Sequence, residues 1–100
     1  MARAKNPDLM QAKLFKALSD VTRMRICKAL LSGEKNVTEI CRLLKGRQPT
    51  VSRHLALLRM HDLIESDRKG RSVCYRIVPP IKRQLKLLLD RCEALSQVDR

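Results

Sequence analysis

Between Asn36 and Pro49 the sequence signals the start of a helix twice, and this pair of signals restricts the fold more than any other feature. Asn36-Val-Thr-Glu39 has the form of a capping box, in which the first side chain accepts from the backbone of the fourth residue and the fourth reaches back. It opens a short helix through Leu44. Lys45-Gly46-Arg47-Gln48 then reads as a turn, and Pro49 suits the first position of a following helix, where no backbone donor is needed. That second helix runs to about His61 and turns Val51, Leu55 and Leu58 inward at i, i+4 and i+7. Its opening turns are crowded with hydrogen-bonding side chains, Gln48, Thr50, Ser52, Arg53 and His54, which a purely structural helix does not usually concentrate at one end. Two short helices, the second offering polar groups from its N-terminal end, make a helix-turn-helix over about residues 37–61. Val37, Ile40, Leu44, Val51 and Leu55 hold its helices together, and Cys41 is the small residue at their crossing.

The flanks extend this unit. Asp8–Leu18 carries Leu9, Met10, Leu14, Phe15 and Leu18, dense enough for a helix with one broad apolar face. Ser19-Asp20 offers an N-cap for a helix to about Ser32, with Gly33 as its stop. The inward side of that helix reads Met24, Cys27, Leu30 and Leu31, with Arg23, Arg25 and Lys28 outward. Downstream, Leu63–Ser66 and Val73–Ile77 read as two strands around a basic tip, Asp67–Arg71, giving a hairpin over about residues 63–78. Pro79-Pro80 closes the sheet, and Ile81–Gln97 forms a last helix. The expectation is a mainly α fold with a small β-hairpin wing, ordered α-α-α-α-β-β-α: one winged helix-turn-helix domain over residues 1–100. Phe15 and Tyr75 are the only aromatic residues, so the core must be aliphatic, and sites that stack bases on several aromatic faces are disfavoured.

In the last helix Ile81, Leu85, Leu88, Cys92 and Leu95 recur at spacings of 4, 3, 4 and 3, a narrow heptad seam. The helix could simply pack on its own domain, but Leu87 and Leu89 add apolar surface beyond the seam, which points to a partner subunit. Charge points to a second kind of partner. Residues 42–83 hold eleven basic and three acidic groups, so +8 of the chain's +12 lies there. Such an excess favours polyanions. Double-stranded DNA is the expected partner, because no basic amphipathic helix with bulky anchors suggests a membrane surface. Arg53 could pair with guanine O6 and N7 or with a phosphate. Arg47, Gln48, Thr50, Ser52 and His54 could meet base edges or phosphates, and Arg68, Lys69 and Arg71 would reach the backbone or a narrow minor groove. No nucleophile–base set, glycine-rich phosphate loop or paired carboxylates suggest an enzyme. The competing reading is a sequence-neutral, basic structural protein of nucleic acid.

No run approaches the ~18 apolar residues of a membrane span, and MARAKNPD lacks the apolar core of a signal peptide, so a cytoplasmic location is expected. Cys27, Cys41, Cys74 and Cys92 are then thiols at rest. None is spaced as CxxC or CxC, and His54 and His61 form no metal constellation with them.

Over roughly residues 12–78 the sequence resembles the ArsR/SmtB family of bacterial repressors. The resemblance is carried by Leu14-Phe-Lys-Ala-Leu-Ser-Asp20, Thr22-Arg-Met-Arg-Ile26, Val37-Thr-Glu-Ile40, Gln48-Pro-Thr-Val-Ser-Arg-His-Leu55, Leu57-Leu-Arg59, Gly70-Arg71 and Tyr75-Arg76. It implies a homodimer, joined through the first and last helices, that sits on a palindromic operator and leaves when a metal ion or redox signal arrives. Leu14, Phe15, Ile81, Leu85, Leu88, Cys92 and Leu95 would then form the dimer interface. The family's thiolate metal pair in the third helix falls on Asn36 and Thr38 here, and its last-helix site finds Asp90 and Glu93 but no histidine. No cofactor is therefore required, although a thiophilic metal or metalloid could still act. Some relatives sense oxidant or persulfide through a cysteine on the second helix and one on the last. That implies Cys92 and Cys27 as sensor thiols, with Cys27 displaced by one residue. The usual turn glycine is replaced by Lys45, which leaves Gly46 to take the left-handed conformation one residue later.

Overall fold

The first three helices each begin where a side chain satisfies a leading amide. Asn6 accepts from the Leu9 amide (3.2 Å) to cap α1 (Pro7–Leu18), and Asp20 accepts from the Arg23 amide (3.0 Å) to cap α2 (Val21–Leu31). At α3 (Val37–Leu44) the capping box closes as expected, with Glu39 N–H to Asn36 at 2.9 Å and Asn36 N–H to the Glu39 carboxylate at 2.8 Å. Then follow α4 (Gln48–Met60), the strands β2 (Ile64–Lys69) and β3 (Ser72–Ile77), and α5 (Pro79–Val98). This is the architecture of a computed structural model, which describes residues 6–98; the ends of the expected domain, residues 1–5 and 99–100, lie outside the described residues.

The expected order of elements is observed with one addition. Lys35–Asn36 form a short strand, β1, antiparallel to β3, so the sheet runs β1-β3-β2. The hairpin is also longer than its apolar pattern indicates. Pairing runs from Ile64↔Ile77 to Lys69↔Ser72, which leaves Gly70-Arg71 as the connection. Gly70 has φ 63°, the positive value that two-residue hairpin turns demand. Pro79 and Pro80 stand in the first turn of α5, where proline is tolerated, rather than between the sheet and that helix.

All fifteen buried core residues are aliphatic or cysteine, as the scarcity of aromatics requires, and no polar or charged residue is buried among the described residues. Ile26, Cys27 and Leu30 of α2 lie at the centre, where Ile40 and Leu44, Val51, Leu55 and Leu58, and the sheet residues Ile64 and Ile77 converge. The inward face of α2 is thus centred on Ile26, with Met24 and Leu31 only partly covered. In α5 the apolar residues divide. Leu85 and Leu89 enter this core, whereas Leu87 and Leu95 stay exposed.

The turn of the helix-turn-helix differs from expectation. Lys45 takes the left-handed conformation (φ 56°, ψ 40°), and Gly46 does not. The amides of both Lys45 and Gly46 donate to the Cys41 carbonyl, which ends α3. What sets position 46 apart is space: a Cβ there would stand 3.1 Å from Val51 Cγ2, tight enough that α4 would have to give slightly. Close approach to α4, not backbone angle, decides that position.

A candidate nucleic-acid interface and an apolar terminal face

The first turn of α4, the start of α3 and the hairpin converge on one cleft of about 330 Å³, lined among others by Thr38, Gln48, Ser52, Arg71 and Tyr75. Arg71 is the hairpin cation that lines it, and strand alternation sorts the other two. Arg68 pairs with Val73 and so shares the sheet face of Val73 and Tyr75, whereas Lys69 falls on the opposite face with Glu65 and Asp67. Arg47, Gln48, Thr50, Ser52 and Arg53 are all exposed. No side chain caps α4, in contrast to the three helices before it, so its leading amides are open to an external acceptor.

Two residues expected at this surface are engaged elsewhere. His54 turns back toward the α1–α2 corner, its Nδ1 3.4 Å from Arg23 Nη1 and 3.9 Å from Asp20 Oδ2, with its side chain 13% exposed. Arg23 is the hub of that corner, since its Nε donates to the Ala17 carbonyl at 2.7 Å, at the end of α1. The Arg23 amide, aided by the His54 and Arg23 charges, holds the Asp20 carboxyl below its usual range against the opposing effect of burial. Lys69 is bound by Glu34, Nζ to Oε2 at 2.6 Å, and Arg76 lies between Glu34 (3.6 Å) and Glu65 (2.8 Å). Hydrogen bonding with Lys69 lowers the Glu34 carboxyl, and Glu34 in turn raises the Lys69 ammonium. Sequence reading did not single out Glu34. Its partners are far away in the chain, and only the two-residue β1 brings them into register. Thr38, noted above only for the thiolate it lacks, also reaches the cleft.

A second, apolar cleft lies where Leu14 of α1 meets α5. Leu14, Ile81, Leu85 and Leu88 line it, and its volume is about 110 Å³. On the same two helices Leu9, Met10, Phe15, Leu87 and Leu95 are about half exposed or more. Cys92 is exposed on α5.

Cys27, by contrast, is fully buried, and desolvation pushes its thiol up to about 12, which keeps it protonated. Cys41 and Cys74 are half-buried. The donor set does not fit a resident metal. The Asn36 oxygen is committed to the Glu39 amide, Asp90 pairs with Lys86 at 3.1 Å, and no three His, Cys, Asp or Glu side chains gather among the described residues. Nor, among those residues, is any helix long and apolar enough to cross a membrane.

Comparison with known proteins adds four findings. Residues 20–66 match the profile of the bacterial regulatory protein, arsR family. The chain is 40% identical over 89 residues to the arsenical resistance operon repressor of Escherichia coli K12, covering 85% of this chain and 76% of that protein. It is 35% identical over 96 residues to a cadmium resistance transcriptional regulatory protein, the CadC homolog of Staphylococcus aureus, covering 93% and 79% of the two. In three dimensions it is similar to the NMR structure of a homodimeric winged helix-turn-helix DNA-binding domain from Mycobacterium bovis, described as a possible ArsR-family regulator. The TM-score is 0.82 at 25% identity, over 100% of this chain and 97% of that one.

Proposed function

This chain belongs to the arsR family of bacterial regulatory proteins, transcriptional regulators rather than enzymes, and from that premise we propose that it is a homodimeric repressor that reads a palindromic operator in the cytoplasm and is released by a thiol-reactive signal. The observation that carries the DNA reading is the convergence of α4, α3 and the hairpin on one cleft. In this reading Gln48, Thr50, Ser52 and Arg53 face the major groove from the front of α4, Arg53 against guanine, while Arg47, Arg68 and Arg71 meet phosphates. The uncapped start of α4 favours the same arrangement, since a phosphate can occupy the place that a capping side chain fills in the other helices. His54, engaged with Arg23 and Asp20, serves as a positioning residue that ties the reading helix to the end of α1.

Dimerisation is supported by the exposed apolar surface of α1 and α5. Two copies joined there would carry two α4 helices onto half-sites one DNA turn, or a multiple of it, apart. For the signal, the reachable thiol on that surface is Cys92. Its modification by an oxidant, a persulfide or a thiophilic metalloid would alter the fit between protomers. Cys27 is a poor partner for it, because it is buried and protonated. The relatives' names, for arsenical and cadmium resistance, are compatible with a thiophilic inducer.

A binding competition separates this reading from that of a sequence-neutral basic protein. A repressor selects one inverted repeat from a random duplex pool and prefers it to bulk DNA by ~10³ or more. Enrichment of no sequence, with tight binding to every duplex, would establish the sequence-neutral role instead.

A further inference from the structure

We propose that Glu34 is an intramolecular competitor for DNA phosphate: it holds Lys69 on the back of the hairpin, so that of the three cations at the hairpin tip only Arg68 and Arg71 are left for DNA, and affinity for DNA of arbitrary sequence is kept low. The inference rests on the DNA-binding reading above. Its geometry begins with β1. Lys35 pairs with Tyr75 and Asn36 with Cys74, so the antiparallel register sets Glu34 opposite Arg76. From there its carboxylate takes Lys69 Nζ at 2.6 Å on one oxygen and Arg76 Nη1 at 3.6 Å on the other. Lys69 comes from the far strand, β2, and reaches over the middle strand to meet it.

The alternation of β2 gives Lys69 the face opposite the cleft, yet a lysine stem is long and flexible and could swing around the hairpin's edge to a phosphate. Lys69 is 56% exposed, and its ion pair with Glu34 is the close contact that holds it in place. An exposed ion pair of this kind contributes little to stability. Its consequence is electrostatic: a cation already satisfied by a carboxylate releases no counterion from DNA, so it adds nothing to the salt dependence of binding or to sequence-independent affinity.

The test is the slope of log affinity against log salt, measured on a duplex of random sequence for the full chain. Glu34→Gln should steepen the slope by about 0.9, the value for one added phosphate contact, and tighten binding several-fold at low salt. Lys69→Ala in the otherwise unchanged chain should leave the slope where it was, and the double variant Glu34→Gln/Lys69→Ala should restore it. Asp67→Asn removes the same unit of charge from the same face without replacing either partner of the Glu34–Lys69 pair, and should leave the slope unchanged. The proposal is overturned if Lys69→Ala alone flattens the slope by about one unit, if Glu34→Gln changes nothing, or if Glu34→Gln and Asp67→Asn act alike. A wild-type protein with no salt-dependent binding to DNA would instead remove the underlying reading.

Discussion

Phe15→Ala should dissociate the protein without unfolding it. Phe15 is 56% exposed on α1 and is not one of the buried core residues, so the protomer does not depend on it. A phenylalanine offers about 200 Å², so roughly 110 Å² of it faces outward here. Covering that area against a second copy at about 25 cal/mol per Å² stabilises the dimer by about 3 kcal/mol per protomer. Alanine retains part of this, leaving a loss of about 2 kcal/mol per copy, and the two-fold relation of the protomers doubles it to about 4. At 1.4 kcal/mol per decade the dimer dissociation constant rises about a thousandfold. Sedimentation equilibrium across a dilution series reads that change directly, and far-UV circular dichroism checks that the monomer keeps its helices. A native spectrum with a dissociation constant shifted by less than about threefold would refute the argument that α1 and α5 meet a second copy.

Three further outcomes follow from the same geometry. Arg53→Ala should cost about 1–3 kcal/mol on the correct operator and blunt discrimination between sequences, whereas Arg68→Ala should weaken all duplexes alike and reduce the salt slope by about one unit; competition titrations at several salt concentrations distinguish them. Lys45→Gly should raise stability by about 0.5–1 kcal/mol, because it relieves a left-handed side chain, while Gly46→Ala should lower it by pushing on Val51 Cγ2; thermal melts at fixed protomer concentration read both signs. Cys92 should react with a thiol reagent in the native protein and Cys27 only after unfolding, and Cys92→Ser should bind operator normally but ignore the inducing oxidant or metalloid; because the folded-state value of Cys27 is raised from 9.0 to about 12, its contribution to stability is fully present below pH 9 and is lost as pH climbs toward 12, which urea melts across that range would follow.

The elements legible in the sequence are those that rest on local chemistry. Asn36 and Glu39 announce α3 because both partners of the capping box lie within one turn. Val51, Leu55 and Leu58 place α4 because their spacing alone defines an inward face, and all three are buried. What escaped depends on contacts distant in sequence. β1 has too few residues for a pattern and exists through β3. Glu34 meets Lys69 only once the sheet has formed, and the partners of His54 come from the α1–α2 corner. Lys45 is obscured for a different reason: glycine is the usual left-handed residue, yet Lys45 has the positive φ, and Gly46 is distinguished by its close approach to Val51. The heptad spacing in α5 identified an apolar helix but could not assign its residues between the protomer's own core and a second copy, and Leu85 and Leu89 went to the core.

Asn36 is both the last residue of β1 and the cap of α3. Swinging the hairpin away from the reading helix would break either the pairing of Asn36 with Cys74 or the capping box, which couples the hairpin to α3. In the proposed dimer, a chemical event at the terminal helices would then act on the span between two such coupled arms. Release from DNA would become a problem of calipers, in which the tips keep their shape and the distance between them changes. Bound and released protomers should therefore superpose, with the whole difference residing in the angle at which the two copies meet.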